Sequence, residues 1–111
     1  MKKEINGVLL EFDVFEVKNA ELYQKKLTEI QKHCDKIKDE TDFAKGVKEI
    51  CNMVFDFIDT LFGAGKHAEI FGDSVNLKTA ISVYNEIVAA VSEDKEEFVN
   101  FTKSLNKNQI H

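Results

Sequence analysis

VKEICNMVFDFIDTLFGAGKHAEIFGDSVNL, residues 47–77, decides the fold. Extended back to Phe43, it carries two apolar rows at helical spacing. One is Phe43, Val47, Ile50, Val54, Phe57 and Leu61; beside it run Cys51, Phe55, Ile58 and Phe62. Two adjacent rows make a wide apolar surface, so a helix over 43–62 belongs at the centre with neighbours on more than one side. Gly63 is suited to end it, because glycine leaves the helix through backbone angles other residues resist. KHAEIF, 66–71, has room for a turn or two of helix before Gly72 closes it. Gly46 inside the helix costs about 1 kcal/mol against Ala, which a close helix crossing would explain.

Outward from this centre, the chain opens on a strand pair. Asn6-Gly7 is a strong two-residue hairpin signal. Val8, Leu10, Phe12 and Val14 alternate with Leu9, Glu11, Asp13 and Phe15, which predicts a hairpin over 2–15. Two strands alone are marginal in water, so the hairpin must pack on the helices. Asn19 is an expected N-cap for a helix over about 19–39. Its apolar residues, Ala20, Tyr23, Leu27, Ile30, Cys34 and Ile37, step by 3, 4, 3, 4 and 3. Two apolar positions per heptad suit one partner helix, within the fold or from another subunit. After Gly72, capped by Asp73, Ser74 or Asn76, a last helix is expected over about 76–105. Its stripe is Leu77, Ile81, Tyr84, Val88 and Val91, continued in phase by Phe98 and Leu105. A break near 92–94 is expected, with Ser92 capping the second piece, and a frayed end from Asn106 to His111. The fold class is α+β, mainly α: an N-terminal β-hairpin followed by a bundle of three or four helices in one domain.

Composition narrows the function. The 111 residues are 43% hydrophobic and 32% charged, with net charge −5 and no Pro, an ordinary globular balance. A net acidic chain argues against nucleic-acid binding, which needs a basic face. No apolar run is long enough for a signal peptide core or a membrane span, so a bacterial host cytoplasm and no membrane association are expected. Cys34 and Cys51 lie on apolar stripes and read as small buried hydrophobes.

No motif carries catalysis. Gly63-Ala64-Gly65-Lys66 resembles a phosphate loop, but Thr60 stands where the first Gly is needed, His67 where Ser or Thr is needed, and a helix precedes it. His33, Cys34, Cys51 and His67 lack a metal spacing: neighbours on a helix point about 100° apart. Neither cysteine lies at a helix N-terminus, which would activate a thiol. No catalytic residue, metal or cofactor is expected. The candidates for binding are Asp56, Asp59, Phe62, Lys66 and Phe71. Asp59 sits at a helix C-terminus, where its charge meets the negative dipole end and Lys66 could offset it. On that reading Asp59→Asn weakens partner binding with little loss of stability.

A resemblance adds to this. Ile5-Asn6-Gly7-Val8; Phe55-Asp56, Asp59, Phe62-Gly63 and Gly65; then Ile70-Phe71-Gly72-Asp73, Asn76 and Leu77 together resemble a family of small Firmicute prophage proteins, themselves similar to phage tail assembly chaperones. The resemblance runs to about Val91. It implies a non-enzymatic tail assembly chaperone whose partners are the tape-measure and tail-tube proteins, with a homo-oligomer as a further possibility. The alternative is a structural virion component, a tail-completion or connector subunit. A small enzyme or regulator acting through Asp56 and Asp59 is a third class and requires a cleft around both.

Overall fold

A computed structural model describes residues 1–108. The order is β1 (Lys2–Ile5), β2 (Val8–Glu11), α1 (Val17–Ile37), α2 (Phe43–Phe62), α3 (Lys66–Phe71) and α4 (Leu77–Asn108). This is the expected α+β, mainly α arrangement. Helix α2 lies centrally, packed on α1, α3 and α4, and the hairpin rests against α4.

The hairpin is antiparallel, with Ile5 opposite Val8 and Lys2 opposite Glu11. Asn6 (φ 51°) and Gly7 (φ 77°) take the left-handed angles that a two-residue turn requires. Alternation holds: Leu10 and Phe12 are buried while Leu9 and Glu11 are exposed. The strand stops at Glu11, short of the expected residue 15. β1 offers only four residues to pair with, and the Asp13 carboxylate then accepts the Phe15 N–H at 3.0 Å, turning the chain. The Met1 amino group lies 2.9 Å from Asp94 Oδ2 and donates to the Phe12 carbonyl, pinning the hairpin to α4.

α1 starts two residues before its expected boundary. Glu16 is its N-cap, without a side-chain bond, and Asn19 lies inside the first turn, donating to the Asp13 carbonyl at 2.9 Å. Tyr23 and Leu27 are buried, but Cys34 farther along the same stripe is exposed. That corrects the expectation of two buried thiols: only Cys51 is enclosed, and burial raises its pKa.

α2 matches its expected bounds, capped by Asp42, whose side chain accepts the Lys45 N–H at 3.2 Å. Cys51, Val54, Phe57, Ile58 and Leu61 are its buried residues, and Phe57 meets Tyr23 at 6.2 Å and Tyr84 at 5.1 Å between ring centroids. Gly46 is not demanded by a close crossing: a Cβ there would meet Ile37 Cγ2 at an ordinary 3.8 Å.

α4 is a single helix, without the break expected near 92–94. The Ser92 hydroxyl donates back to the Val88 carbonyl at 2.9 Å instead of capping a new segment. Asn76 supplies the cap, accepting the Thr79 N–H at 3.1 Å. The buried row is Ala80, Val83, Ile87 and Val91; Ile81, placed in the stripe by its spacing, is 37% exposed. Asn106 to Asn108 are helical rather than frayed, and residues 109–111, the rest of the expected frayed end, lie outside the described residues.

Candidate functional site

The five residues singled out in sequence do not form one patch. Asp56, on the polar edge of α2, faces α1: its Oδ2 lies 2.7 Å from Lys26 Nζ, with Glu29 3.2 Å from the same ammonium. The bond to Asp56 is the main cause that raises the Lys26 pKa. Asp56 also borders a shallow recess of about 160 Å³ between α1 and α2, shared with Lys26, His33 and Met53. Asp59 is not among the residues that line it.

Asp59 faces α3. Its Oδ1 accepts the His67 N–H at 2.9 Å, and its Oδ2 lies 2.7 Å from His67 Nδ1. One carboxylate therefore ends α2 and caps α3 across Gly63 (φ 119°) and Gly65 (φ 83°). The positive N-terminal end of α3 offsets the unfavourable dipole end of α2. Lys66 does not perform that role; it pairs with Glu69 at 3.1 Å. Behind His67, Phe55 stacks on the imidazole at 4.6 Å and 16°, and Phe71 meets Phe55 at 5.1 Å. Phe62 points to the hairpin, edge-on to Phe12 at 5.9 Å. The corner thus joins Asp59 and Phe71 through two residues outside the predicted set, His67 and Phe55. The signal for His67 was its place just past the Gly-x-Gly turn, in reach of the carboxylate that precedes it.

The rings packed behind this Asp–His pair are those of Phe55 and Phe71. Among the described residues no group of three His, Cys, Asp or Glu side chains converges to hold a metal ion. No helix of the described residues is long and apolar enough to cross a membrane.

A second feature was not read from the sequence. Where the 38–42 connection joins α1 to α2, near the start of α4, a groove of about 180 Å³ is lined by Ile37, Phe43, Gly46, Val47, Ile50 and Leu77. Phe43 stands at the opening, 83% exposed, with the carboxylates of Glu40 and Asp42 beside it. Burial pushes the Tyr84 hydroxyl above its ordinary pKa, with Cys34 adding to the rise. The groove thus has an apolar floor with Glu40 and Asp42 at its rim.

No curated protein and no solved structure matches the chain. A family model matches residues 6–110, nearly the whole length. The chain belongs to that family, described as a family of unknown function (DUF6673).

Proposed function

We propose that this protein is a non-enzymatic chaperone of phage tail assembly, acting in the host cytoplasm on the tape-measure and tail-tube proteins. The observation that carries the reading is the apolar groove at the α1–α2 connection, with Phe43 at its mouth. Helix-in-groove docking buries an apolar ridge of the client and leaves its polar side in water. A long helical client with basic flanks is complementary to the Glu40 and Asp42 rim. The prophage resemblance of residues 5–8, 55–65 and 70–77 supports the same reading. Asp56 and Asp59 serve the scaffold here, through Lys26 and His67.

The test is co-expression with the neighbouring tape-measure protein. The expected result is a soluble client with the native chain and an insoluble one with Phe43→Asp, whose own circular dichroism is unchanged because Phe43 is exposed. A client equally soluble without this chain overturns the proposal. Fixed copies of the chain in purified particles would instead make it a structural virion component.

A further inference from the structure

The hairpin leaves one edge unguarded. The Met1 amino group donates to the Phe12 carbonyl and the Phe12 N–H to the Met1 carbonyl, which makes these residues a bonded pair at the open end of the ladder. Bonded pairs alternate along antiparallel strands. Lys3–Leu10 and Ile5–Val8 are therefore the next two, and the N–H and C=O groups of Leu9 and Glu11 point away from β1. The sheet has two strands, and among the described residues no backbone bond from a helix or loop reaches those groups. Such an edge is a template for one kind of occupant, another extended strand. β1 presents the same outward groups at Lys2 and Glu4. It packs along α4, however, and its Lys2, Lys3 and Glu4 are exposed charges, the usual guard of an edge. β2 has no such guard: Val8, Leu9 and Leu10 are apolar, and Leu9 is 48% exposed.

We propose that β2 pairs with β2 of a second copy, antiparallel about a twofold axis at Leu10, in a four-stranded sheet with the two β1 strands outermost. That register makes bonded pairs of Leu9 with the other copy's Glu11, and it uses every outward group of β2. On the inner face it sets Leu10 against the other copy's Leu10 and Val8 against the other copy's Phe12, so apolar meets apolar. On the outer face Glu11 meets Leu9 and keeps Lys2 of its own chain at 3.5 Å, so no like charges are opposed. A twofold axis at Leu9 would instead run Glu11 against Gly7, whose φ of 77° has left the strand. Two β1 edges would set Lys3 against Lys3, a like-charge pair. Pairing β1 with β2 would leave an unguarded edge at the end of each open assembly. The β2 pairing leaves none, and it relieves the marginal stability of a two-stranded sheet in water. The edge and the groove at Phe43 belong to different elements, so this pairing and the chaperone reading fail independently.

The contact is short, so a dissociation constant of about 100 µM is expected. At that value roughly 15% of the chain is paired at about 10 µM and roughly 80% at about 1 mM, a range that sedimentation equilibrium covers. Amide hydrogen exchange of the full chain locates the contact. The Leu9 and Glu11 amides face water in the monomer, so their exchange should slow about fourfold across that range. The Val8 and Leu10 amides, held within the hairpin, should stay protected throughout. Leu9→Glu opposes carboxylates in both bonded pairs and should weaken pairing at least about tenfold. Adding Glu11→Lys to it makes each pair opposite in charge and should restore the dimer. Protected Val8 and Leu10 amides in both variants show the hairpin intact. Slowed exchange at Leu9 and Glu11, with that loss and rescue, supports the β2 dimer. A monomer at about 1 mM overturns the proposal, as does a dimer in which those two amides exchange as freely as in the monomer.

Discussion

Replacing Asp59 separates a scaffold role from a contact role. The carboxylate accepts one backbone N–H of α3 and holds the His67 ring, with the two side chains 27% and 33% exposed. Losing a helix cap costs about 1 kcal/mol. A hydrogen bond to a charged group contributes about 1.5–3 kcal/mol when shielded, which partial exposure reduces here to about 1. Asp59→Ala is therefore expected to cost about 2 kcal/mol. With an unfolding entropy of about 2.1 cal/mol/K per residue, that lowers Tm by roughly 8 °C. Asp59→Asn keeps an acceptor for the His67 N–H and should lose about half as much. Thermal unfolding followed by circular dichroism measures both. A double-mutant cycle with His67→Ala should show coupling of about 1 kcal/mol between the side chains. If Asp59→Ala melts within about 1 °C of the native protein, a shift worth under 0.3 kcal/mol, the clamp is not holding α3 and the reasoning fails.

The Tyr23 hydroxyl is buried and has no hydrogen-bond partner among the described residues, and burial is the chief cause that pushes its pKa up to about 12. Tyr23→Phe should be neutral or stabilising by up to about 1 kcal/mol at pH 8. Below pH 10 the hydroxyl is protonated folded or unfolded; between 10 and 12 the unfolded chain releases the proton first, so native stability falls by up to about 1.4 kcal/mol per pH unit. Denaturant titrations at pH 8 and 11 should show Tyr23→Phe losing less than the native chain, and an equal loss would contradict the assignment. Asp56 is 64% exposed, so its bond to Lys26 is screened and Asp56→Asn should change stability by less than about 1 kcal/mol; a larger loss in the same titration would show that the α1–α2 seam depends on it.

Elements whose signals are local were legible in the sequence. Asn6-Gly7 set the hairpin turn, and Gly63 ended α2 at the observed residue. Gly72 did the same for α3. Features that depend on what lies opposite were not. Cys34 repeats the spacing of Tyr23 and Leu27, but whether a stripe is covered depends on where the next helix runs, and α1 is uncovered there. Ser92 can cap a helix or bond back to the preceding turn with the same hydroxyl, and spacing alone does not choose. Asp59 looked outward because the rows of α2 leave it off the apolar face. Its partner His67 comes eight residues later, beyond a turn whose direction rests on two glycine backbones.

The unbroken ladder of α4 makes it a rigid shaft with an angular register. Each residue advances the direction of its side chains by about 100°, so the core, by seating Ile87 and Val91, also aims Phe98, Phe101 and Leu105. One residue inserted at Ser92 would swing the outer face about a quarter turn while leaving its composition and the inner packing intact. Seven inserted residues would return the aim to within about 20° and carry the face roughly 10 Å farther out. Length changes between Val91 and Phe98 are thus tolerated in steps of a heptad, because no hinge lies between the part of this helix that is anchored and the part that is displayed.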